Sequence, residues 1–153
     1  MASLDIIPVQ SNEDWQAVRA IRRQVFIDEQ DCPPEEEWDG HDETSRHVVG
    51  RVDGQPVATA RWRSVAHNKQ IVAKLERFAV LAEHRGQGYG TQLVKAVLAD
   101  ARRAGFETFL LHAQAHLEEW YASLGFTSTG HRFEEVGIPH VEMMRHEGDT
   151  NNQ

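Results

Sequence analysis

Apolar positions along the chain follow two periods. Over residues 11–25 they recur at steps of three and four, at Trp15, Val18, Ile21 and Val25, with Arg22 beside Ile21 on the same face. That spacing predicts an amphipathic helix, capped by Ser11 or Asn12 and ending before Pro33 and Pro34. Period two governs most of the rest. Residues 4–9 carry a short strand pattern, and residues 47–52 and 56–63 carry two more around Asp53 and Gly54. An Asp-Gly dipeptide suits the left-handed backbone of a tight hairpin, so these two strands are expected to pair antiparallel. Within residues 71–81, Glu76, Phe78 and Val80 alternate with Leu75, Arg77 and Ala79, which predicts a strand carrying the two sets on opposite faces. Helical spacing returns at Leu93, Val94, Val97, Leu98 and Ala101, and Gly105 is placed to stop it. Residues 108–113 form a buried strand pattern, Leu117, Trp120 and Leu124 a short helix ended by Gly125, and residues 126–133 and 140–145 a closing hairpin. The order strand, helix, three strands, helix, strand, helix, two strands predicts an α/β fold: a mixed, mostly antiparallel sheet with helices on both faces.

Composition narrows the function classes. A chain of 153 residues suits one domain, expected over 1–146, with a polar tail at 147–153. Hydrophobic residues at 40% and charged residues at 26% are ordinary globular usage, so a disordered or fibrous chain is disfavoured. Cys32 is the one cysteine, which excludes an intrachain disulfide and a thiolate metal cluster. The first twelve residues lack a signal-peptide pattern, and no apolar run reaches the ~18 residues of a membrane helix, so a cytoplasmic protein without a membrane partner is expected. A formal net charge of -8 disfavours nucleic acid. The histidines form no HExxH or other helix-spaced ligand pair, and no metal site is expected.

The stretch Arg85-Gly86-Gln87-Gly88-Tyr89-Gly90 lies between a strand and a helix. There, glycines let backbone amides converge on an anion without many lysines. Two common fingerprints fail. A dinucleotide GxGxxG would need glycine where Thr91 or Leu93 stands, and a phosphate loop of the GxxxxGK[ST] type needs a Gly-Lys pair that the chain lacks. Nucleotide-dependent oxidoreductases and hydrolases are disfavoured accordingly.

Arg85, Gly88 and Gly90 fit the pattern of Arg or Gln, two residues, Gly, one residue, Gly or Ala, and the chain in this region resembles the GNAT superfamily of N-acetyltransferases. Leu75-Glu76-Arg77-Phe78-Ala79-Val80 looks like the central strand of that family, and Trp120-Tyr121-Ala122-Ser123-Leu124-Gly125-Phe126 like its tyrosine motif. Within the superfamily the chain is most similar to the ElaA-like and YjcF-like bacterial proteins. Residues 22–30, 39–42, 113–117 and 137–140 carry that likeness, which then spans nearly the whole chain.

The resemblance implies a GNAT acyl-CoA N-acyltransferase fold and acetyl transfer from acetyl-CoA to a primary amine. It implies a cofactor site formed by Phe78, Ala79 and Val80 on the strand, Arg85, Gly86, Gln87, Gly88, Tyr89, Gly90 and Thr91 at the loop, Gln114 and Tyr121. Gln114 stands where many members have an asparagine, and a glutamine can make the same bonds from a longer stem. A homodimer through the C-terminal hairpin is also implied. A non-catalytic acyl-CoA-binding or sensing module is the alternative.

Amine acetylation requires an unprotonated amine, a polarised thioester carbonyl and a proton for the departing thiolate. Tyr121 is expected as the proton donor by the resemblance, against a plain aromatic packing role. Glu76 is a candidate base, against an ion pair with Lys74 or Arg77. His116 and His140 are rivals because imidazole titrates near neutrality. Cys32 is not expected to carry an acetyl group, because the acids around it oppose a thiolate; direct transfer in a ternary complex is expected.

From Gln24 to Ser45 there is no lysine or arginine, yet Asp28, Glu29, Asp31, Glu35, Glu36, Glu37, Asp39, Asp42 and Glu43 occur. Such a run reads either as a solvated loop or as a wall attracting a cationic amine, small molecule or peptide. The acceptor candidates are Phe26, Glu29, Trp38, Asp39, Asp42 and His140.

Overall fold

The computed structural model describes residues 3–147. Apart from Glu147, the polar tail at 147–153 lies outside the described residues. Seven strands form one sheet in the order β1-β2-β3-β4-β5-β7-β6. They are β1 (Asp5–Pro8), β2 (Arg46–Val52), β3 (Gln55–His67), β4 (Gln70–Val80), β5 (Thr108–Gln114), β6 (Thr127–Glu135) and β7 (Ile138–His146). Neighbours run antiparallel except β4 and β5, which are parallel. The sheet is therefore two antiparallel halves joined at one parallel seam.

Helices α1 (Asn12–Arg22), α2 (Pro34–Glu37), α3 (Tyr89–Arg103) and α4 (Glu118–Ser123) complete the fold. Ser11 caps α1, its hydroxyl oxygen accepting the Asp14 amide at 3.0 Å. The chain continues from α1 into a π-helical run, Arg23–Glu29, a wide turn often found at functional sites. One face of the sheet packs on α3: Leu93, Val94, Val97, Leu98 and Ala101 bury against Trp62, Leu75, Phe109, Leu111, Val141 and Met143. Truncating such a residue, Leu93 for example, costs on the order of 2–5 kcal/mol. The other face takes Ile21 and Val25 against Ala79, with Phe26 and Leu81 alongside. No helix among the described residues is long and apolar enough to cross a membrane.

The Asp53–Gly54 hairpin forms as expected, with φ of 51° and 82°. Two further tight hairpins carry weaker sequence signals. Asn68 and Lys69, at φ 48° and 69°, join β3 to β4, and Val136 and Gly137, at 52° and 75°, join β6 to β7. β3, β6 and β7 consequently run longer than the hydrophobic pattern indicates, while β4 keeps its expected length one residue earlier.

The expected alternation along β4 needs correction. Thr59 faces Ala79 but Arg61 faces Glu76, so Ala60 stands opposite two residues, and Arg77 adopts φ 60°. This β-bulge inserts one residue and switches the faces. Leu75 and Phe78, three apart, both meet the α3 core, whereas Ala79 packs on the α1 side. Glu76 thus points to the opposite face from Phe78.

Candidate active site

β4 and β5 are in register at only two positions, Ala73 with Phe109 and Lys74 with Leu110. Beyond them the strands diverge, and a cleft of about 830 Å³ opens between Phe78, Ala79 and Val80 on one side and Leu111, His112 and Gln114 on the other. The β4 backbone past Leu75 has β3 along one edge and no strand along the other. Backbone amides and carbonyls there are available to an extended amide-bearing chain, as at an open sheet edge.

The glycine loop lies at the head of this cleft, where Arg85, Gly86, Gly88, Tyr89, Gly90 and Thr91 line it. Gly86 and Gly88 adopt φ of 81° and 83°, and a Cβ on either would meet open space. Gly88 precedes the first turn of α3 and supplies no side-chain cap, so the start of a fifteen-residue helix borders the cleft. Gly90 packs against Trp120, where a Cβ would lie 3.4 Å from the indole ring. Arg85 is turned back on the protein: its Nε donates to the Val80 carbonyl at 2.8 Å and its Nη2 to Glu29 at 3.0 Å. Gln87 does not line the cleft.

These features fit acetyl-CoA. The amides of Gly88 to Thr91 would hold its pyrophosphate, and the open edge of Phe78 to Val80 its pantetheine arm. Gln114, tied to Gln30 at 3.4 Å, borders the same opening. Tyr121 is buried on the α3 side, with Trp120, Phe126 and Phe78 around its ring at centroid distances of 4.8, 6.1 and 6.4 Å. Burial pushes its hydroxyl far above the ordinary tyrosine range, so it keeps its proton at every working pH.

The acceptor side differs most from the sequence expectation. Glu76 accepts from Arg61 at 2.6 Å, Arg63 at 2.9 Å and Lys74 at 3.1 Å. Although burial raises a carboxyl, these cations outweigh it and hold Glu76 at about 2. A carboxylate so stabilised is a poor proton acceptor, and the base role expected for it is withdrawn.

Asp39 and Asp42 are not a free acidic wall either. Asp39 pairs with Arg61 at 2.7 Å and Arg77 at 3.1 Å, and Asp42 with Arg22 at 2.6 Å and Arg61 at 2.8 Å. Glu37 is buried and joins Arg22 at 2.6 Å and Arg77 at 3.1 Å. Within the run lacking lysine and arginine, distant arginines thus engage Glu37, Asp39 and Asp42, whereas Asp28, Asp31, Glu35, Glu36 and Glu43 lie exposed to solvent. Trp38 is covered by Arg19 and Arg22, 4.4 and 4.9 Å from its ring centroid, and does not line the cleft. Glu29 is engaged by Arg85 and does not line it either. Phe26 and His140 do line it, as does Cys32, whose thiol is pushed up chiefly by burial and secondarily by Glu37.

Arg63, Lys74, His112 and Glu135 also line the cleft and carry no sequence signal. Arg63 and Lys74 are cross-strand partners on β3 and β4, whereas His112 and Glu135 meet because β5, β7 and β6 lie side by side in that order.

Comparison with known proteins agrees with this geometry. Residues 12–146 match the family described as an acetyltransferase (GNAT) domain. The N-acetyltransferase YjcF of Bacillus subtilis is 36% identical over 126 residues, 82% of this chain and 87% of YjcF. The crystal structure of Escherichia coli ElaA superposes with a TM-score of 0.80 at 30% identity, covering 95% of this chain and 99% of ElaA. A GNAT family acetyltransferase from Elizabethkingia anophelis, solved with acetyl-CoA bound, shares the fold at a TM-score of 0.70 and 14% identity over 94% of this chain and 97% of that one. A diverging seam headed by a glycine loop, in a chain matched along nearly all its length, places this protein in the GNAT acetyltransferase family, among its ElaA-like and YjcF-like members.

Proposed function

We propose that the protein transfers the acetyl group of acetyl-CoA to a primary amine in one step, with both substrates bound together. The observation that carries this reading is the β4–β5 divergence, which opens the cleft to the glycine loop and Tyr121 from one face and to the acceptor side from the other. Acetyl-CoA supplies the activated acetyl thioester. The chain's own groups do the rest: β4 amides near Phe78 to Val80 polarise the carbonyl, and Tyr121 donates the proton that the departing sulfur needs. Cys32 takes no acetyl group, because its surroundings oppose the thiolate.

The acceptor is a small-molecule or peptide amine, preferably cationic. Glu36 and Glu135 border the cleft and would attract it, in place of the paired Asp39 and Asp42. Purified protein is incubated with acetyl-CoA and a panel of primary amines, with CoA release and product mass as readouts. An acetylated amine formed with stoichiometric CoA supports the proposal. Tight acetyl-CoA binding without transfer to any amine would instead support a binding or sensing module.

A further inference from the structure

His140 stands on β7 between Val141 and Pro139, and it is 8% exposed. Val141 faces the α3 core, so strand alternation turns His140 to the opposite face, the acceptor side of the cleft that it lines. Its ring is stacked on Phe133 at 5.8 Å and 20°. Its Nδ1 lies 2.7 Å from the Ile138 carbonyl oxygen. A carbonyl can only accept, so Nδ1 carries the proton, and a neutral imidazole has only one. The Nε2 lone pair is therefore presented outward, 3.7 Å from Glu135 Oε2.

Resting on the acetyltransferase reading, we propose that His140 Nε2 is the general base that takes the proton of the attacking amine, with Glu135 as a positioning residue that stabilises the resulting imidazolium. The groups facing His140 are Glu135 from β6, His112 from β5 with its Nδ1 3.8 Å from Glu135, and Glu142 on its own strand face, paired with His67 at 3.3 Å. Lys74 on β4 acts on Glu135 from farther off. Gln114, opposite His140 across β5, is uncharged.

A second observation points to the same place. Glu135 and Ile138 flank the turn at Val136, a β-branched residue at φ 52° that also lines the cleft. A backbone so strained is kept only where its surroundings hold it, and such positions cluster at functional sites. Here the strained turn presents both the carbonyl that sets the His140 tautomer and the carboxylate that faces Nε2.

Tyr121 and His140 approach the splay from opposite faces of the sheet, which separates the two proton transfers. As the amine nitrogen bonds to the acetyl carbon and the carbon–sulfur bond breaks, the amine's proton goes to His140 Nε2 and the sulfur takes one from Tyr121. Afterwards the imidazolium releases its proton to water and the phenolate regains one, so both groups return to their starting state.

The test has two readouts on the full chain. In histidine-selective 15N NMR, the His140 signal, identified by its loss in His140→Asn, is expected to show Nδ1 protonated; an Nε2-protonated ring overturns the proposal whatever the activity. In single-turnover transfer across pH, His140→Asn keeps a donor for the Ile138 carbonyl but lacks the Nε2 acceptor. It is expected to lose roughly a hundredfold or more in rate, together with the acid limb of the profile, at unchanged acetyl-CoA affinity. A retained acid limb in His140→Asn, or its loss only in Glu135→Gln, overturns the role of His140 while leaving the transferase reading intact. A wild type that binds acetyl-CoA yet acetylates no amine defeats the transferase reading and the base with it.

Discussion

Arg61 Nη2 lies 2.6 Å from Glu76 Oε2 across neighbouring strands, with the arginine side chain fully closed from solvent and the glutamate nearly so. The same guanidinium also reaches Asp39 and Asp42, so strands β3 and β4 are fastened to the segment after α1 through one buried cation. Removing one member of such a network leaves its partners charged and unpaired, at a cost on the order of 3–5 kcal/mol.

Glu76→Gln is accordingly expected to lower stability by about 3 kcal/mol at pH 7, measured by urea unfolding. The folded carboxyl sits at about 2, below the unfolded value of about 4.3. Its contribution is therefore complete above pH ~4.3 and is lost as pH falls from there through about 2. The gap between wild type and variant should close over that window. A fully stable variant with a collapsed turnover would restore Glu76 to the chemistry.

Gly88→Asp should abolish acetyl-CoA binding measured by calorimetry. Its φ of 83° disfavours any side chain, and a carboxylate at the start of α3 would repel the pyrophosphate. Circular dichroism establishes that the variant is folded. Undiminished affinity in a folded variant would remove the loop from the cofactor site.

Tyr121→Phe should keep the fold and acetyl-CoA affinity while turnover falls ten- to a thousandfold, because only one oxygen is lost. The defect should shrink with acyl donors whose thiols are more acidic, since these need the proton less. An equal loss with every donor would make Tyr121 a packing residue.

Val136→Asn should raise the melting temperature by roughly 2–4 °C, since asparagine adopts positive φ at little cost where valine does not. Thermal unfolding at pH 7 reads this directly. An unchanged or lower midpoint would show that the turn stores no strain.

Features legible in the sequence are those written in consecutive residues. The Arg85 to Gly90 loop, the Ser11 cap, the Asp53–Gly54 hairpin and the tyrosine motif each need only a short window and local backbone chemistry. The ion-pair network could not be read that way. Arg22 meets Glu37 fifteen residues on, and Arg61 meets Asp42 nineteen residues back, so an acidic run without nearby cations gave no sign of its distant partners. The bulge at Arg77 was hidden because a regular alternation of side-chain types overlay an irregular backbone. His112, Glu135 and His140 became neighbours only through strand order, since β7 inserts between β5 and β6.

The two-position contact between β4 and β5 also bears on how the molecule opens. Tight hairpins join β2 to β3, β3 to β4 and β6 to β7 within the halves, whereas the halves share few ladder bonds and are held in alignment by the core under α3. Local fluctuations should therefore concentrate along the divergence, with amides of Arg77 to Val80 exchanging with deuterium sooner than those of Val57 to Trp62 next door. A pantetheine arm lying there would act as a temporary extra strand, slowing that exchange and welding two cooperative units into one.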